Sequence, residues 1–564
     1  MIKAPYNFVP LNEKVFYPEW SEQVSHDIPF SDGESGEIEI EIEAKSPIFV
    51  RDNNSKDETK FCNYNGEYFI PATSIKGMIR NILEIISFSK LKIQDKILSY
   101  RDLNNPSYKK NAMNTNKIYM GWLYIDKNRW KVDSVGKITN SQTRIKYIEM
   151  EKFLGKKIVD KIKNTKEAYK KYQIINDRDK LEIQKGTIVF TGSIGKKKTR
   201  EFLFPKKVEK TYILDDKVIK TFKEGYYIGT PNESKDWKNL WSNELKKGKK
   251  IPIFFQIENN KIKHFGLSML YKLPYTNSLQ KLLENYQNYK DNKDLAQTIF
   301  GDVNNDNSLK GRVYFSHFKC YKEVPYNKTI SLPLSTPRAT FYPNYIVQCG
   351  DTKTQEFITY DNENAILRGF KLYPPRKNII TYDEICKKNS KVCTSFKPLN
   401  KGSIFKGKIR FHNLKKEEIG VLLSALTILN NKDSFHKVGM AKGYGFGTIK
   451  INILKLITEN NFTQQQYIDS FITLIDKKLN INLLNSPRIK ALFKLTSYSF
   501  SDKELKYMPI NDFVNAKKTY NKWVLKEIVD NGYNKDKICK KKNNKKSNQN
   551  KKNPVFNGIR IKLN

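Results

Sequence analysis

The chain has 564 residues and a formal net charge of +43 at pH 7, and aromatic residues make up 12% of it. A field of this strength attracts polyanions and opposes self-association, and basic plus aromatic composition suits single-stranded nucleic acid. No stretch approaches the roughly 18 apolar residues of a membrane span, and residues 1–6 begin no signal peptide, so we expect a cytoplasmic protein that does not contact a membrane.

The cysteines are scattered through the chain without a C-x-x-C pair. This spacing supports neither a zinc knuckle nor a disulfide framework. We therefore expect all of them to be reduced and mostly structural. They are Cys62, Cys320, Cys349, Cys386, Cys393 and Cys539.

The first predicted element is a strand that begins at Glu37. Glutamate and isoleucine alternate strictly through residues 37–43. A period of two residues is typical of a half-buried strand. We therefore place the first strand of the core within residues 37–49.

A helix is predicted next, with the sequence PATSIKGMIR at its start and an apolar period that continues to about Phe88. Thr73 or Ser74 is the expected N-cap. Lys76 and Arg80 are four residues apart and therefore share one face of the helix. They lie near an N-terminus whose free amides favour phosphate.

Two long stretches without a clear pattern interrupt the core. Residues 96–289 are basic and irregular apart from a strand-like segment at 186–192, and we interpret them as an insertion. The core resumes at residues 290–320, with a strand near 311–316. Residues 321–400 form a second irregular insertion.

The core closes with a strand, a helix, a glycine-rich loop and a final strand. Their apolar patterns place the first strand at 405–411, the helix at 417–429 and the last strand at 448–453. Helical patterns predominate after about residue 456. The Lys/Asn-rich stretch at 540–552 predicts disorder.

The glycine-rich loop is the first candidate for function, because it holds four glycines within nine positions. Glycine permits positive φ and leaves backbone amides uncovered. Lys437 and Lys442 supply charge for phosphates, and Tyr444 and Phe446 supply faces for stacking bases. A structural glycine-rich hairpin is the alternative. If the loop binds RNA, Gly445→Val should weaken binding and leave the chain folded.

Two ordered motifs resemble the RAMP superfamily of CRISPR-associated proteins. The helix motif of that family reads roughly PGSSLKGxxR, and its loop motif reads roughly GxGxxxGxG before the last strand. Here the two motifs lie about 360 residues apart, and the ordered pair is more specific than either alone. The matching residues are Pro71, Ser74, Ile75, Lys76, Gly77 and Arg80 in the first motif and Gly439, Gly443, Gly445 and Gly447 in the second.

The resemblance implies an α+β fold with a ferredoxin-like, RNA-recognition-type RAMP core, large insertions and a helical C-terminal extension. The implied division is an N-terminal extension (1–36), the first part of the core (37–95), a basic insertion (96–289), a core strand region (290–320), a second insertion (321–400), the last part of the core with the loop (401–456), the helical extension (457–537) and a basic tail (538–564).

The resemblance also implies partners. Backbone subunits of type III-like CRISPR complexes hold guide RNA through sugar-phosphate contacts, which suits guides of any sequence. The implied partners are single-stranded guide RNA, target RNA and other CRISPR effector subunits. Two alternatives stay open, a stand-alone or guide-processing endoribonuclease and a general basic RNA-binding assembly protein. The implied RNA contacts carry over to Ser74, Lys76, Arg80, Gly443, Gly445 and Gly447.

Catalysis has two candidate sites. Family members that cut target RNA resemble one another in an aspartate after the first strand, and this chain has Asp52 and Asp57 there. Either carboxylate would help to hold Mg²⁺ or Mn²⁺ against a phosphate if the chain cleaves RNA. Solvated loop charge is the alternative. His436 is the second candidate, as a general acid/base on an RNA 2′-hydroxyl, and its alternative is a packing role.

Overall fold

The computed structural model divides into two compact units, residues 1–93 with the residues after 280, and residues 94–280. The predicted basic tail at 538–564 lies outside the described residues. The structure describes residues 1–533 except 53–58, 94, 104–107, 115–116, 140–142, 147–185, 190–199, 228–241, 304–307, 335–338, 349–356, 382–385, 387–392, 518–523 and 531–532.

The described strands are β1 (Asn7–Val9), β2 (Glu34–Ala44), β3 (Asn63–Tyr64), β4 (Glu67–Ile70), β5 (Ser99–Tyr100), β6 (Tyr119–Asp126), β7 (Arg129–Lys137), β8 (Arg144–Lys146), β9 (Gly186–Val189), β10 (Arg200–Pro205), β11 (Lys210–Ile213), β12 (Ile251–Glu258), β13 (Lys261–Gly266), β14 (Leu273–Pro274), β15 (Gly301–Asp302), β16 (Leu309–Lys310), β17 (Val313–Phe315), β18 (Phe318–Lys322), β19 (Ile330–Pro333), β20 (Phe370–Leu372), β21 (Cys393–Phe396), β22 (Ile404–Leu414), β23 (His436–Lys437) and β24 (Thr448–Thr458).

The described α-helices are α1 (Ala72–Ile86), α2 (Asp216–Tyr227), α3 (Ser242–Lys246), α4 (Leu279–Tyr286), α5 (Leu295–Phe300), α6 (Tyr342–Tyr345), α7 (Lys416–Thr427), α8 (Gln464–Leu479), α9 (Pro487–Thr496) and α10 (Ile510–Lys517). Not one of these described helices has the length and apolar character needed to cross a membrane.

The largest sheet of the first unit has the order β23-β24-β2-β22-β18-β4-β3, with β17 also paired to β22. All of these pairings are antiparallel. In chain order, β2 is the first strand of the core, the β17–β18 pair is the second, β22 is the third and β24 is the fourth. Across the sheet they lie in the order fourth, first, third, second. Helix α1 follows the first of them and α7 follows the third, so the fold is α+β, as the sequence predicts.

Strand β2 shows why the alternation of glutamate and isoleucine gives a strand. The isoleucines point into the core, where Ile38 and Ile42 are fully buried. The glutamates point outward and pair with basic residues of β22, so that Glu37 accepts hydrogen bonds from Lys408 at 2.6 Å and Arg410 at 2.8 Å. The predicted strand is therefore confirmed, with a start at Glu34.

Helix α1 begins at Ala72 with Pro71 as its N-cap, so the expected N-cap at Thr73 or Ser74 is wrong. Proline has a fixed φ that suits a helix start and no N–H to satisfy, and here the helix starts two or three residues earlier than the expected polar caps would place it. The helix ends at Ile86, and its buried apolar face packs on α7 and α5.

Helix α7 is held by a buried ion pair. Arg312, just before β17, pairs with Glu418 in the first turn of α7, and both side chains are fully buried. Arg312 also donates to the Thr298 carbonyl at 3.0 Å, and Thr298 Oγ1 donates to Glu418 at 2.9 Å. These additional hydrogen bonds compensate the desolvation of the two charges.

After the sheet, α8, α9 and α10 occupy the stretch in which the sequence predicts a helical extension. Helix α8 packs closely on α7, because a β-carbon at Gly420 would overlap the Tyr467 carbonyl oxygen. Thr463 caps α8 through a reciprocal pair of hydrogen bonds with Gln466. Such caps satisfy backbone amides that have no partner inside a helix.

The second unit corrects the expectation of an irregular insertion. Its described residues form a five-stranded antiparallel sheet in the order β11-β7-β6-β12-β13 and a three-stranded sheet in the order β8-β10-β9. Residues such as Leu123, Val132 and Phe255 form its own apolar core. Two of its central strands, β6 and β12, are eight-residue apolar runs without strict alternation, and periodicity alone does not distinguish such a run from a buried helix.

A disulfide joins Cys386 to Cys393, so the expectation that every cysteine is reduced is wrong at this pair. The two residues are only seven positions apart but do not form the C-x-x-C spacing on which that expectation rested. Cys62 and Cys320 are free, as predicted. Burial raises the pKa of both thiols to about 11, so neither is reactive at neutral pH.

Candidate nucleic-acid interface

A cavity of about 500 Å³, here called the lysine cavity, lies between α1, the end of β20 and the start of the glycine-rich loop. Its walls include Ser74 from the first predicted motif and Lys437 and Lys442 from the second. The fold therefore brings together parts of two motifs that lie about 360 residues apart in the sequence.

Three lysines converge on this cavity, and no aspartate or glutamate is among the described residues that line it. Lys437 keeps a partly exposed surface, yet burial lowers its pKa well below its usual value, and nearby Lys442 and Arg376 lower it further. Burial also lowers the pKa of Lys442. A bound anion would supply the negative charge that the walls lack.

Lys371, the third lysine, is a residue that the sequence prediction missed. It enters the cavity because β20 pairs with β1 at the N-terminus. Burial lowers its pKa to about 8, and Lys442 contributes to the shift. Its Nζ donates to the Tyr345 hydroxyl at 2.8 Å and lies 3.7 Å from the centroid of the Tyr6 ring. The sequence feature that could have identified Lys371 is the basic and aromatic composition of residues 368–376.

Helix α1 contributes an open face to the lysine cavity. Ser74, Gly77 and Asn81 lie on that face at helical spacing. A β-carbon at Gly77 would meet nothing within 4 Å. The first turn of α1 carries no acidic residue and its N-cap makes no side-chain hydrogen bond, so the helix dipole favours an anion there, although the Ala72 N–H already donates to His317 Nδ1 at 3.2 Å.

Lys76 and Arg80 share one helix face as predicted, but they do not line the lysine cavity. Both lie over the ring of Phe300, at 5.9 and 5.8 Å from its centroid. Arg80 is also paired with Glu84 at 2.9 Å. Burial raises the pKa of Glu84 to about 7 against the opposing effect of Arg80. Arg80 therefore makes contacts within the protein, with Glu84 and Phe300, whereas the sequence predicts a contact with RNA.

Gly443, Gly445 and Gly447 are buried and Gly439 is half-buried, which corrects the expectation that the amides of the loop are uncovered. Gly439, Gly445 and Gly447 have positive φ. A β-carbon at Gly447 would overlap the Val438 carbonyl oxygen, and one at Gly443 would lie 3.0 Å from Pro5. These positions require glycine because protein atoms crowd them, which favours the structural interpretation of the loop backbone.

Tyr444 and Phe446 are also buried, so the expectation that they present open faces for stacking bases is wrong. The Tyr444 hydroxyl donates to the Pro333 carbonyl at 2.8 Å. The Phe446 ring lies 5.6 Å from the ring of Phe396. Both partners come from the stretch predicted as the second insertion, which covers this side of the loop.

His436 lies in the wall of the lysine cavity with little exposure. Its Nε2 is 2.9 Å from the Leu426 carbonyl oxygen, so the neutral ring donates its proton there. Burial lowers its pKa to about 4. A ring that is neutral and bonded in this way suits the packing role better than general acid catalysis at neutral pH.

Of the two candidate catalytic aspartates, Asp57 lies outside the described residues. Asp52 is described, and its backbone N–H donates to the Lys60 carbonyl at 2.9 Å. It does not line the lysine cavity. Within the part of the chain that the structure describes, no cluster of three or more metal-ligating side chains occurs.

Residues 41–257 match the family model of the RAMP superfamily. The match includes the first motif and ends before the glycine-rich loop. The resemblance to this superfamily is thus confirmed over that stretch, while the type III-like subfamily stays a prediction. No curated protein sequence matches the chain.

Two solved structures show a weak likeness. The crystal structure of Thermofilum pendens Csc2 has 9% sequence identity and a TM-score of 0.24, over 87% of this chain and 93% of that chain. A CRISPR RNA-guided surveillance complex in a pre-nicking state has 8% identity and a TM-score of 0.22, over 78% and 89% of the two chains. A likeness of this size carries no argument about fold or function.

Proposed function

We propose that this chain is a guide-RNA-binding subunit of a type III-like CRISPR ribonucleoprotein and that the lysine cavity holds the sugar-phosphate backbone. One observation carries the proposal. Ser74 and Gly77 of the helix motif meet Lys437 and Lys442 of the glycine-rich loop around a cavity with no carboxylate among its described lining residues. The RAMP superfamily match supports the same class of protein.

The sheet supports a ferredoxin-like core. A βαββαβ order of elements with the strands arranged fourth, first, third, second is the arrangement of RNA-recognition-type domains. The outward face of its central strands, however, carries paired charges such as Glu37 with Lys408 and Glu41 with Lys406. In RNA-recognition domains, bases stack on aromatic side chains at this face of the sheet. Paired charges occupy the face here, so the lysine cavity beside α1 is the better candidate for the RNA-binding site.

Contacts to phosphate and sugar suit this role because they do not depend on sequence. A subunit that binds guides of many sequences needs a grip of this kind. The lysines of the cavity are point charges without a fixed geometry. They would therefore tolerate any base above the backbone.

The decisive experiment is to purify the full chain from a host that expresses a CRISPR array and to sequence the RNA that accompanies it. We expect RNA derived from the repeats and of defined length. Random RNA, or none, would contradict the guide-binding role. Competition between repeat and scrambled RNA separates this role from that of a general RNA-binding protein, which would show no preference.

Cleavage of target RNA is a further part of the proposal that rests on Asp52 and Asp57. If the assembled complex cuts guide-complementary RNA with Mg²⁺ or Mn²⁺, Asp52→Ala or Asp57→Ala should abolish cutting. Guide binding should be nearly unchanged, because Asp52 is not among the described residues that line the lysine cavity. Cutting that persists in chelator and disappears in His436→Ala would instead favour transesterification through the 2′-hydroxyl.

A further inference from the structure

A second cavity of about 630 Å³, here called the aromatic cavity, adjoins the lysine cavity. Phe435 is part of the wall of both. The aromatic cavity lies between α9 and its following turn on one side and residues 431–435 on the other. Phe435 and the end of α9 form a wall between the two cavities, since Leu495 and Thr496 line the first and Phe493 and Lys494 line the second.

Three aromatic side chains line this cavity, Phe435, Phe493 and Tyr498. All three keep part of their surface exposed. The rings of Phe435 and Tyr498 meet edge to face, with centroids 5.1 Å apart. This contact leaves ring surface facing the cavity, in contrast to the buried rings of the glycine-rich loop. Partly exposed rings around a concave site are suited to a flat ligand.

The wall that carries Phe435 is held in place by hydrogen bonds. The Phe435 N–H donates to the Thr496 carbonyl at 2.8 Å, and Thr496 Oγ1 is 2.9 Å from Ser434 Oγ. Lys450 Nζ donates to three backbone carbonyls of the same segment, those of Asn431, Lys432 and Ser434. A ring fixed in this way loses little conformational entropy when a ligand binds.

Polar groups surround the rings. Lys490 and Lys494 are exposed on α9, four residues apart and on the same helix face. Asn431 and Asp433 lie on the opposite wall and offer hydrogen-bonding groups to the edge of a planar ligand. The cations favour an anionic ligand, and the rings favour a flat one. A nucleotide combines a phosphate with a planar, polar-edged base, whereas a free phosphate or an apolar peptide uses only part of this lining.

We propose that the aromatic cavity receives one base of the single-stranded RNA, splayed from the strand whose backbone lies in the lysine cavity. In this arrangement Phe493 and Tyr498 stack on the base, and Lys490 and Lys494 contact its phosphate. This inference rests on the proposed function. It adds a place where one nucleotide is separated from its neighbours by Phe435, on a part of the chain outside both sequence motifs.

The test uses the full chain and unstructured single-stranded RNA that carries 5-iodouridine, a photoreactive base that crosslinks to aromatic side chains in contact with it. Mass spectrometry of the crosslinked peptides should identify Phe435, Phe493 or Tyr498. This measurement needs no substitution, so it does not depend on the folding of a variant.

Affinity provides the second measurement. Phe493→Leu keeps apolar volume but removes the ring, and it should lower RNA affinity by roughly five- to 150-fold, the size of one lost stacked base. Phe462→Leu is the matched control, because Phe462 is an exposed ring beside Lys416 that does not line this cavity. It should leave affinity unchanged.

The outcomes distinguish the two proposals. If the wild-type chain binds no RNA, the proposed function fails. If it binds RNA but the crosslinks map elsewhere and Phe493→Leu binds as tightly as Phe462→Leu, the RNA-binding role stands and the base site is overturned. A crosslink at the aromatic cavity together with selective loss in Phe493→Leu supports the base site.

Discussion

Gly77 and Gly420 are both glycines within helices, but only one of them is required by the packing of the protein. A β-carbon at Gly420 would overlap the Tyr467 carbonyl, whereas one at Gly77 would meet nothing within 4 Å. Glycine in a helix costs about 1 kcal/mol relative to alanine. At Gly77 no contact with the described part of the chain offsets this cost. The open space beside α1 is therefore best explained by a ligand that approaches the helix closely.

We expect Gly77→Ala to stabilise the free protein by about 1 kcal/mol and to weaken RNA binding, because the new methyl group projects into the lysine cavity. Thermal unfolding and RNA titration measure the two effects separately. Gly420→Ala is the matched control, which should destabilise the protein through its clash with α8. Higher stability with unchanged RNA affinity in Gly77→Ala would mean that RNA does not approach this helix face.

Lys371 gives a second prediction because its pKa of about 8 lies below the usual value for lysine. The unfolded chain then holds more protons between pH 8 and about 10.5, so this residue makes stability rise with pH across that window. Below pH 8 the cost of burying the charge is fully present. Lys371→Met should therefore stabilise the free protein at pH 7 and weaken RNA binding.

The affinity of the wild-type protein for RNA should fall as pH rises through about 8, since the phosphate favours protonated Lys371. Lys371→Met should reduce this dependence, and Lys437 and Lys442, whose pKa values are also lowered, should maintain the remainder. Titrations between about pH 7 and 9 measure the effect, with exposed Lys319→Met as control. An identical pH profile in Lys371→Met would remove this residue from the interface.

At the scale of elements, the sequence predicts what local periodicity determines. The alternation of glutamate and isoleucine identifies β2, and the apolar period of residues 417–429 identifies α7 to within two residues at either end. The start of α1 was misplaced because proline replaced a polar cap. The sheets of residues 94–280 were missed because central strands such as β6 and β12 are apolar runs without strict alternation, which periodicity alone does not assign to a strand or a helix.

The surroundings of the glycine-rich loop were not predictable from its own sequence. The same residues would make an open RNA-binding loop or a buried hairpin, and the choice depends on what covers them. Pro333, Asn378 and Phe396 do so, and all three come from a stretch that carries no motif. The sequence likewise selects Lys437 and Lys442 for their charge alone, and their position beside α1 is visible only in the structure.

The buried loop changes the expected effect of Gly445→Val. Gly445 has a φ of +100°, and a β-carbon there would lie 3.0 Å from the Asn378 carbonyl oxygen. We expect the substitution to destabilise the free protein by about 2 kcal/mol or more, with RNA binding lost only as the fold is lost. Thermal unfolding without RNA measures this effect. Gly66→Val is the control, because Gly66 has a φ of +88° but no atom within 4 Å. Normal stability with weakened RNA binding in Gly445→Val would restore the open-loop interpretation.

At the scale of the whole molecule, a net charge of +43 means that any polyanion binds at low salt. Affinity measured at one salt concentration therefore does not distinguish the lysine cavity from the rest of the surface. The salt dependence does, because each phosphate contact contributes a fixed increment to the slope of log affinity against log salt. The useful comparison is between Lys437, which lines the lysine cavity, and Lys76, which belongs to the helix motif but does not line that cavity.

Lys437→Gln should lower that slope by about 0.7, the increment for one phosphate contact on single-stranded RNA, because Lys437 lines the lysine cavity. Lys76→Gln should change the slope by less, because Lys76 lies over Phe300 outside that cavity. Both substitutions remove one positive charge, so the general field of the protein changes equally. RNA titrations over a range of salt concentrations provide the measurement. Equal changes in slope would place Lys76 at the RNA backbone as the family resemblance implies, whereas no change for Lys437 would move the backbone out of the cavity.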